Sequence, residues 1–325
     1  MANATPLHVV TGKGGTGKTT VAAALATALA DAGRRVLLCE VEGRQGIAQL
    51  FDVPPLPYEE RKVAVGLGGG EVFALAIDPE AALLEYLQMY YRLGRAGKAL
   101  DRFGIIDFAT TIAPGVRDVL LTGKVYEAAK RRNGNGFAYD AVVMDAPPTG
   151  RIARFLNVND EVAGLARVGP VRRQADSIMA MMRSQSTQVH LVTVLEEMPV
   201  QETIDGIADL RATNLSVGHI IVNLVQAALL GDDTRDALTS GALGTKQVAA
   251  ALTSVAIDAD AAPALLEQGR AHLERLTLQE AQLEILEKTD RGTVQLPTMS
   301  DAIDQGALFE LAGLLRADLL DGDPT

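Results

Sequence analysis

The sequence contains very little cysteine and no long apolar run. Cys39 is the one cysteine in 325 residues, so a disulfide within the chain is impossible and a reducing compartment is favoured. No stretch approaches the roughly 18 uncharged apolar residues that cross a bilayer. The N-terminal residues have neither the basic nor the long apolar segment of a signal peptide. We therefore expect a cytoplasmic protein that is peripheral to a membrane only through a partner.

An excess of positive charge is also lacking. The chain has 30 Lys and Arg against 41 Asp and Glu, which gives a net charge of -11. Neutralisation of phosphates supplies most of the affinity in sequence-independent nucleic-acid binding, so this balance argues against a nucleic-acid partner. With 48% hydrophobic residues, the chain is able to bury a large core.

The apolar pattern predicts an α/β fold. Runs rich in Val, Ile and Leu alternate with longer helical patterns, which is typical of a mostly parallel, doubly wound sheet covered on both faces. We expect a single domain over residues 1–325, with helical subdomain segments inserted at about 78–135 and 159–187. The predicted strands lie near Leu7–Thr11, Val36–Glu40, Val72–Ile77, Ala141–Asp145, Val189–Leu195, Ile220–Asn223 and Thr293–Leu296.

Two predicted helices carry unusually many apolar side chains. The first starts at Asp78-Pro79, and the second covers Pro170 to Ser186. Ordinary packing in a large domain explains either segment, and a surface for a membrane-protein or other apolar helical client is the alternative. The side chains concerned are Tyr86, Leu87, Met89, Tyr90, Tyr91 and Leu93 in the first helix, and Ile178, Met179, Met181 and Met182 in the second.

The most specific motif is a glycine loop between a predicted strand and a predicted helix. Residues Gly12 to Thr19 match G-x-x-x-x-G-K-[ST], the phosphate-binding loop. Its backbone N–H groups surround phosphates at a helix N-terminus, Lys18 adds a positive charge, and the Thr19 hydroxyl is placed for Mg²⁺. Thr20 is placed for the α-phosphate. The motif predicts binding of ATP with Mg²⁺, through Gly12, Lys13, Gly14, Gly15, Thr16, Gly17, Lys18, Thr19 and Thr20.

A second lysine distinguishes this loop from an ordinary one. Lys13 follows the first glycine and gives the deviant form K-G-G-x-G-K-[ST]-[ST]. In proteins that this loop resembles, the lysine crosses a two-fold interface and contacts the phosphates held by the opposite subunit. The alternative is a surface lysine on a glycine loop. We expect a homodimer, or a heteromer with a paralogous ATPase.

Acidic residues at predicted strand ends complete the expected site. Asp145 ends an apolar strand, where it is placed as a carboxylate beside the Mg²⁺ shell. Glu40 and Glu42 follow the second strand on the same side, and either could orient the attacking water. A solvated pair of acids is the competing interpretation for these glutamates.

With these motifs, the chain resembles the family of arsenite-pump ATPases and tail-anchored-protein targeting ATPases, and within it the actinobacterial anion-transporter ATPases that occur as paired paralogues. The resemblance runs nearly end to end. It rests on GKGGTGKTT from Gly12, APG at Ala113 to Gly115, DAPPTGR from Asp145 and IIVN at Ile220 to Asn223. It implies that Asn223 and the loop at Leu296-Pro297 contact the adenine base.

The chain also departs from the family pattern. Glu42 stands where the family has its water-orienting Asp, and Arg151 stands where it has His, either as a cation near the phosphates or paired with an acid. The paired cysteines of the family are missing, so we expect neither an As(III) site, nor a zinc site shared between subunits, nor an Fe–S cluster. The leading hypothesis is a dimeric ATPase that acts as a nucleotide-driven switch. The alternatives are a weakly hydrolysing regulatory subunit that works with a paralogue, and the energising subunit of an anion pump.

Overall fold

A mostly parallel sheet organises the molecule. The computed structural model describes residues 5–91, 115–165, 170–299 and 302–319. The strands are β1 (Leu7–Gly12), β2 (Arg35–Glu40), β3 (Arg61–Val65), β4 (Glu71–Ala76), β5 (Arg132–Asn133), β6 (Gly136–Phe137), β7 (Ala141–Asp145), β8 (Thr187–Thr193), β9 (Val217–Val225) and β10 (Thr293–Pro297). The α-helices are α1 (Lys18–Asp31), α2 (Gly46–Leu50), α3 (Pro79–Tyr91), α4 (Val116–Lys130), α5 (Thr149–Leu165), α6 (Pro170–Met182), α7 (Glu197–Ala212), α8 (Asp232–Thr239), α9 (Thr245–Ser254), α10 (Ala262–Glu287) and α11 (Gln305–Leu319).

The main sheet has eight strands in the order β10-β9-β8-β1-β7-β2-β4-β3. All neighbouring pairs are parallel except β3 and β4. The carboxyl ends of β1, β2 and β7 therefore meet at one edge of the sheet, and the chain order changes direction around β1, where such folds bind ligands. The predicted α/β class and the predicted strands are confirmed.

The sequence pattern missed three strands. β3 begins with Arg61 and Lys62, is partly exposed, and pairs only with β4, so it lacks the apolar signature of a buried parallel strand. β5 and β6 are two residues each and form a small antiparallel hairpin. Such short pairs leave no periodicity to detect.

The two faces of the sheet are covered differently. On one face, α1, α2 and α11 enclose a core that includes Val10, Leu38 and Val143. α1 is rich in alanine and almost wholly buried, so its small side chains allow α11 to pack closely against it. On the other face, α4, α5, α6 and α7 bury Val9, Leu37 and the other alternate strand residues. The side-chain alternation along each strand thus supplies both cores.

The second apolar helix is part of this core. Four apolar side chains of α6 are at most 4% exposed: Ile178, Met179, Met181 and Met182. This burial agrees with ordinary packing in a large domain. α3 begins as predicted, with Ala81 N–H donating to Asp78 Oδ1 at 2.7 Å. The side chains of residues 86–91, and Leu93 entirely, lie outside the described residues, so the first helical insertion stays a prediction. Among the described helices, none is long and apolar enough to cross a membrane.

A glycine loop ties the edge hairpin to α1. The connection 66–70 between β3 and β4 packs against the last turn of α1, where Leu67 N–H donates to Asp31 Oδ1 at 2.7 Å and Gly70 N–H donates to the Ala30 carbonyl at 3.2 Å. A Cβ atom on Gly68 would lie 2.1 Å from the Asp31 carbonyl oxygen. The loop therefore approaches the helix at a distance that only glycine permits.

Candidate functional site

The phosphate loop connects the central strand to the buried helix α1. Thr16 folds the loop back on itself, since its hydroxyl donates to the Lys13 carbonyl at 2.9 Å and its N–H donates to the same oxygen at 3.3 Å. Gly17 precedes α1 in the left-handed conformation with φ 84°, and no side chain caps the helix. The first turn of α1 also carries no acidic residue. The positive end of the helix is thus left for an anion.

Two glycines of the loop are required by close contacts. A Cβ on Gly12 would lie 2.1 Å from the Val192 carbonyl oxygen, and a Cβ on Gly17 would lie 2.4 Å from Asn223 Nδ2. Positions 14 and 15 instead face open space, with no heavy atom of the described residues within 4 Å of a Cβ built there. The loop is therefore packed against the protein at Gly12 and Gly17 and open at positions 14 and 15, which leaves room for a bound phosphate chain.

Asp145 and Thr19 meet at the mouth of the loop. The Thr19 hydroxyl donates to Asp145 Oδ2 at 2.7 Å. Asp145 is 6% exposed, and burial raises the pKa of its carboxyl group to about 6, against the opposing effects of the Thr19 hydrogen bond and the Lys18 charge. Mg²⁺ prefers hard oxygen ligands, and a buried carboxylate beside a hydroxyl at the end of a P-loop provides two of them. These residues fit the metal.

Glu40 brings a second buried carboxylate to the same edge. It pairs with Asp145 in the register of β2 and β7 and is 1% exposed. Its Oε2 accepts a long hydrogen bond of 3.4 Å from Ile47 N–H, while Oε1 has no hydrogen-bond partner among the described residues. A buried carboxylate oxygen without a partner is costly, and a cation bound at this edge of the sheet would offset that cost.

Glu42 is placed differently from Glu40. It lies beyond the end of β2 with its side chain 20% exposed, and its Oε2 is 3.6 Å from Arg44 Nη2. It lines a cleft of about 210 Å³ together with Arg117 and Arg151. Glu42 is therefore partly open to solvent beside this cleft, whereas Glu40 is buried in the interior.

Lys13 is paired within its own chain. Its Nζ lies 3.0 Å from Glu202 Oε1 on α7, with the two side chains 31% and 38% exposed. The other oxygen of Glu202 accepts a hydrogen bond of 3.4 Å from the Thr149 hydroxyl. The resemblance of the loop directs Lys13 toward a second subunit, and no sequence pattern marks Glu202 as its partner.

Asn223 lies directly behind the phosphate loop. It is 4% exposed, and its Nδ2 donates to the Thr16 carbonyl at 3.0 Å. Pro297 ends the neighbouring strand β10, in register with Val225. Thr298, the next residue, lines a cleft of about 450 Å³ with Lys13 to Thr16 and Leu224. The cleft is wide enough for part of a nucleotide beside the loop.

Comparison with known proteins agrees with this geometry. Residues 6–186 match the family model described as "Anion-transporting ATPase". The chain is 52% identical over 313 residues to the ATPase BagA of Mycobacterium tuberculosis, covering 94% of this chain and 91% of that protein. This chain belongs to the anion-transporting ATPase family. It is an ATP hydrolase of that family, with the P-loop α/β fold.

More distant relatives of this ATPase carry two kinds of name. The arsenical pump-driving ATPase of Escherichia coli is 27% identical over 267 residues, covering 74% of this chain and 42% of that protein. The ATPase GET3 of Kluyveromyces lactis is 26% identical over 249 residues, covering 66% of this chain and 70% of that protein. The predicted resemblance to both branches of the family is confirmed.

The segment that follows Asp145 makes several contacts of its own. The Thr11 hydroxyl donates to the Pro147 carbonyl at 2.6 Å, and Thr149 begins α5. Arg151 Nη2 lies 3.5 Å from Asp118 Oδ1 on α4, so in this ATPase the arginine pairs with an acid, one of its two predicted roles. Burial raises the pKa of Asp118 although Arg151 and other arginines lower it. The contact links the start of α5 to α4.

Proposed function

We propose that this ATPase works as a dimer in which binding and hydrolysis of Mg²⁺-ATP drive a conformational change that acts on a protein partner or an apolar client. The observation that carries the proposal is the meeting of a complete deviant phosphate loop with Thr19 and Asp145, whose oxygens are 2.7 Å apart. Hydrolysis by positioning and charge neutralisation needs this combination.

The proposed roles follow the placement of each residue. Lys18 and the loop N–H groups bind the phosphates, and Thr19 with Asp145 holds Mg²⁺, which supplies positive charge at the phosphates when bound. Glu42, which lines the cleft beside Arg151, is the residue proposed to orient water, and the buried Glu40 would add a second carboxylate near a bound Mg²⁺. Asn223 supports the loop through Thr16, and its neighbour Leu224 lines the cleft proposed for adenine.

The single cysteine is in an environment that disfavours the binding of soft ions. Cys39 lies buried in β2, and burial raises the pKa of its thiol to about 12. A thiolate is the form that binds soft ions, so Cys39 is unsuited to As(III) or zinc. This supports a partner or an apolar client over a thiophilic anion as the species acted upon.

The test is turnover of ATP by single-site variants. We expect Lys18→Ala and Asp145→Asn each to lower turnover by about 100-fold or more, because each removes charge stabilisation at the phosphates. Lys288→Ala and Asp176→Asn are matched controls on exposed ion pairs far along the chain from the loop. Unchanged turnover in both Lys18→Ala and Asp145→Asn would refute the proposed site.

A second candidate is a subunit that hydrolyses little until it meets a paralogue. The pairings of Lys13 with Glu202 and of Glu42 with Arg44 favour it, because both groups are occupied within the single chain. Fluorescent-nucleotide binding by the isolated chain, without turnover, would support it if an added paralogue restored hydrolysis. Full turnover by the isolated chain would exclude it.

A further inference from the structure

Glu202 contacts both the phosphate loop and the start of α5, and a nucleotide-driven switch has to coordinate these two segments. One carboxylate oxygen lies 3.0 Å from Lys13 Nζ in the phosphate loop. The other accepts a long hydrogen bond of 3.4 Å from the hydroxyl of Thr149, which is the first residue of α5. The carboxylate therefore joins the phosphate loop to the segment that follows Asp145, and its two oxygens serve different partners.

The packing of α7 fixes Glu202 at this position. Val200 and Ile207 bury one side of α7 in the core. One turn after Glu202, a Cβ on Gly206 would lie 3.5 Å from Thr149 Cγ2, so the helix backbone approaches the start of α5 closely. Residues 202 and 206 share a helix face, which places the Glu202 carboxylate beside Thr149.

Lys13 has one ammonium group and cannot hold Glu202 and a second subunit's phosphates at full strength together. We propose that Glu202 is a positioning residue, which keeps Lys13 within its own subunit until the dimer forms and transmits the release of Lys13 to Thr149. This inference rests on the dimeric function proposed above. The Lys13–Glu202 contact is an inhibitory one, and it is broken each time the dimer closes.

The exposure of the pair sets its strength. Both side chains are about one third exposed, so solvent screens the contact and its contribution is that of a surface ion pair. Such a contribution corresponds to about 1.4-fold to 5-fold in an equilibrium constant. The contact is strong enough to bias Lys13 and weak enough to be released. In a symmetric dimer two contacts break, so the effect on dimerisation is squared.

Release also changes the surroundings of Thr149. While Lys13 is bound, the carboxylate charge is shared between the ammonium and the hydroxyl. After Lys13 leaves, the Thr149 hydroxyl is the remaining partner that the described residues provide, and hydrogen bonds to an unshared carboxylate are stronger. The start of α5 is then held more firmly, four residues after Asp145. Dimer closure and the segment that follows Asp145 are coupled through one side chain.

The test is the dimer dissociation constant, measured by analytical ultracentrifugation with Mg²⁺ and a non-hydrolysable ATP analogue. We expect Glu202→Gln to lower it by about 2-fold to 25-fold in a homodimer, the square of the effect of one exposed ion pair. Asp205→Asn, on the same helix with an exposed side chain, is the matched control and should leave it unchanged. In a Lys13→Ala background, Glu202→Gln should have no effect, which a merely structural role of Glu202 would not produce.

The outcomes separate this inference from the proposed function. If the wild type dimerises with the analogue and Glu202→Gln dimerises equally or less well, the Glu202 inference alone fails. The Glu202 inference also fails if Glu202→Gln lowers the dimer dissociation constant equally in the wild-type and Lys13→Ala backgrounds. If neither protein dimerises although both bind the analogue, the dimeric function and the inference fail together. Dimerisation of Glu202→Gln under conditions where the wild type stays monomeric would support both.

Discussion

A row of stacked histidines predicts that the folded protein loses stability as the pH falls below 7. His8, His190 and His219 lie side by side on β1, β8 and β9, with His8 Nδ1 3.1 Å from His190 Nε2 and ring centroids 5.4 and 5.9 Å apart. The pKa of His8 is lowered from 6.5 to about 4, mainly by burial and to a smaller extent by Arg34 and His219. The pKa values of His190 and His219 are lowered as well, again mainly by burial.

The sign and the size of the effect follow from His8. Between pH 6.5 and about 4 the unfolded chain binds a proton at this residue and the folded chain does not, so the contribution to stability is complete above pH 6.5 and is lost as the pH falls. At pH 5.5 the loss from His8 alone is about 1.4 kcal/mol. That pH stays above the isoelectric point of about 4.9, which limits precipitation.

The perturbation is His8→Gln, which removes the titrating ring. We would measure the free energy of unfolding in urea at pH 7.5 and pH 5.5 and compare its change in the two proteins. The carboxyl group of Asp145 acts in the opposite direction, since its raised pKa of about 6 relieves a cost on acidification, but it is present in both proteins and cancels. His272→Gln, the histidine outside the row, is the control. If His8→Gln and the wild type lose equal stability between the two pH values, the reasoning about the row is wrong.

Two further predictions concern loop packing. Asn223→Ala should lower the free energy of unfolding without nucleotide by about 1–3 kcal/mol, because the buried Thr16 carbonyl loses its donor, and unchanged thermal stability would contradict this. Gly68→Ala should cost about 2 kcal/mol or more, since a Cβ there meets the Asp31 carbonyl at 2.1 Å. Gly123→Ala, inside α4 where no described atom lies within 4 Å of the new Cβ, should instead stabilise by about 0.5–1 kcal/mol. Equal thermal shifts for the two glycine variants would refute the packing argument.

Much of the fold was predictable because its signals are local. The buried parallel strands are continuous apolar runs, and the glycine loop lies between a strand and a helix in the sequence itself. Asp145 could be placed because the carboxyl ends of parallel strands meet at one edge. β3 could not be predicted, because an edge strand that begins with two basic residues and pairs with one neighbour has no distinguishing sequence pattern.

The contacts that refine the site depend on tertiary packing. Glu202 is separated from Lys13 in the sequence by the strands β2 to β8, and an acid on a helix face is usually solvated, so the sequence gives no reason to select it. The same holds for Arg151, whose pairing with Asp118 depends on where α4 begins. The distinction between Glu40 and Glu42 became visible only through burial, since strand alternation places both on one side.

The contact between the 66–70 loop and the last turn of α1 has a mechanical consequence. The rear of α1 is held by the edge hairpin and also by α11, where Arg316 Nη1 donates to the Asp31 carbonyl at 3.2 Å. The helix that carries Lys18 and Thr19 therefore cannot shift along its axis without breaking contacts that lie at the opposite end from the nucleotide. α1 is thus fixed at its rear, and we expect any displacement that accompanies nucleotide exchange to occur in the segments around Glu42 and Thr149 instead.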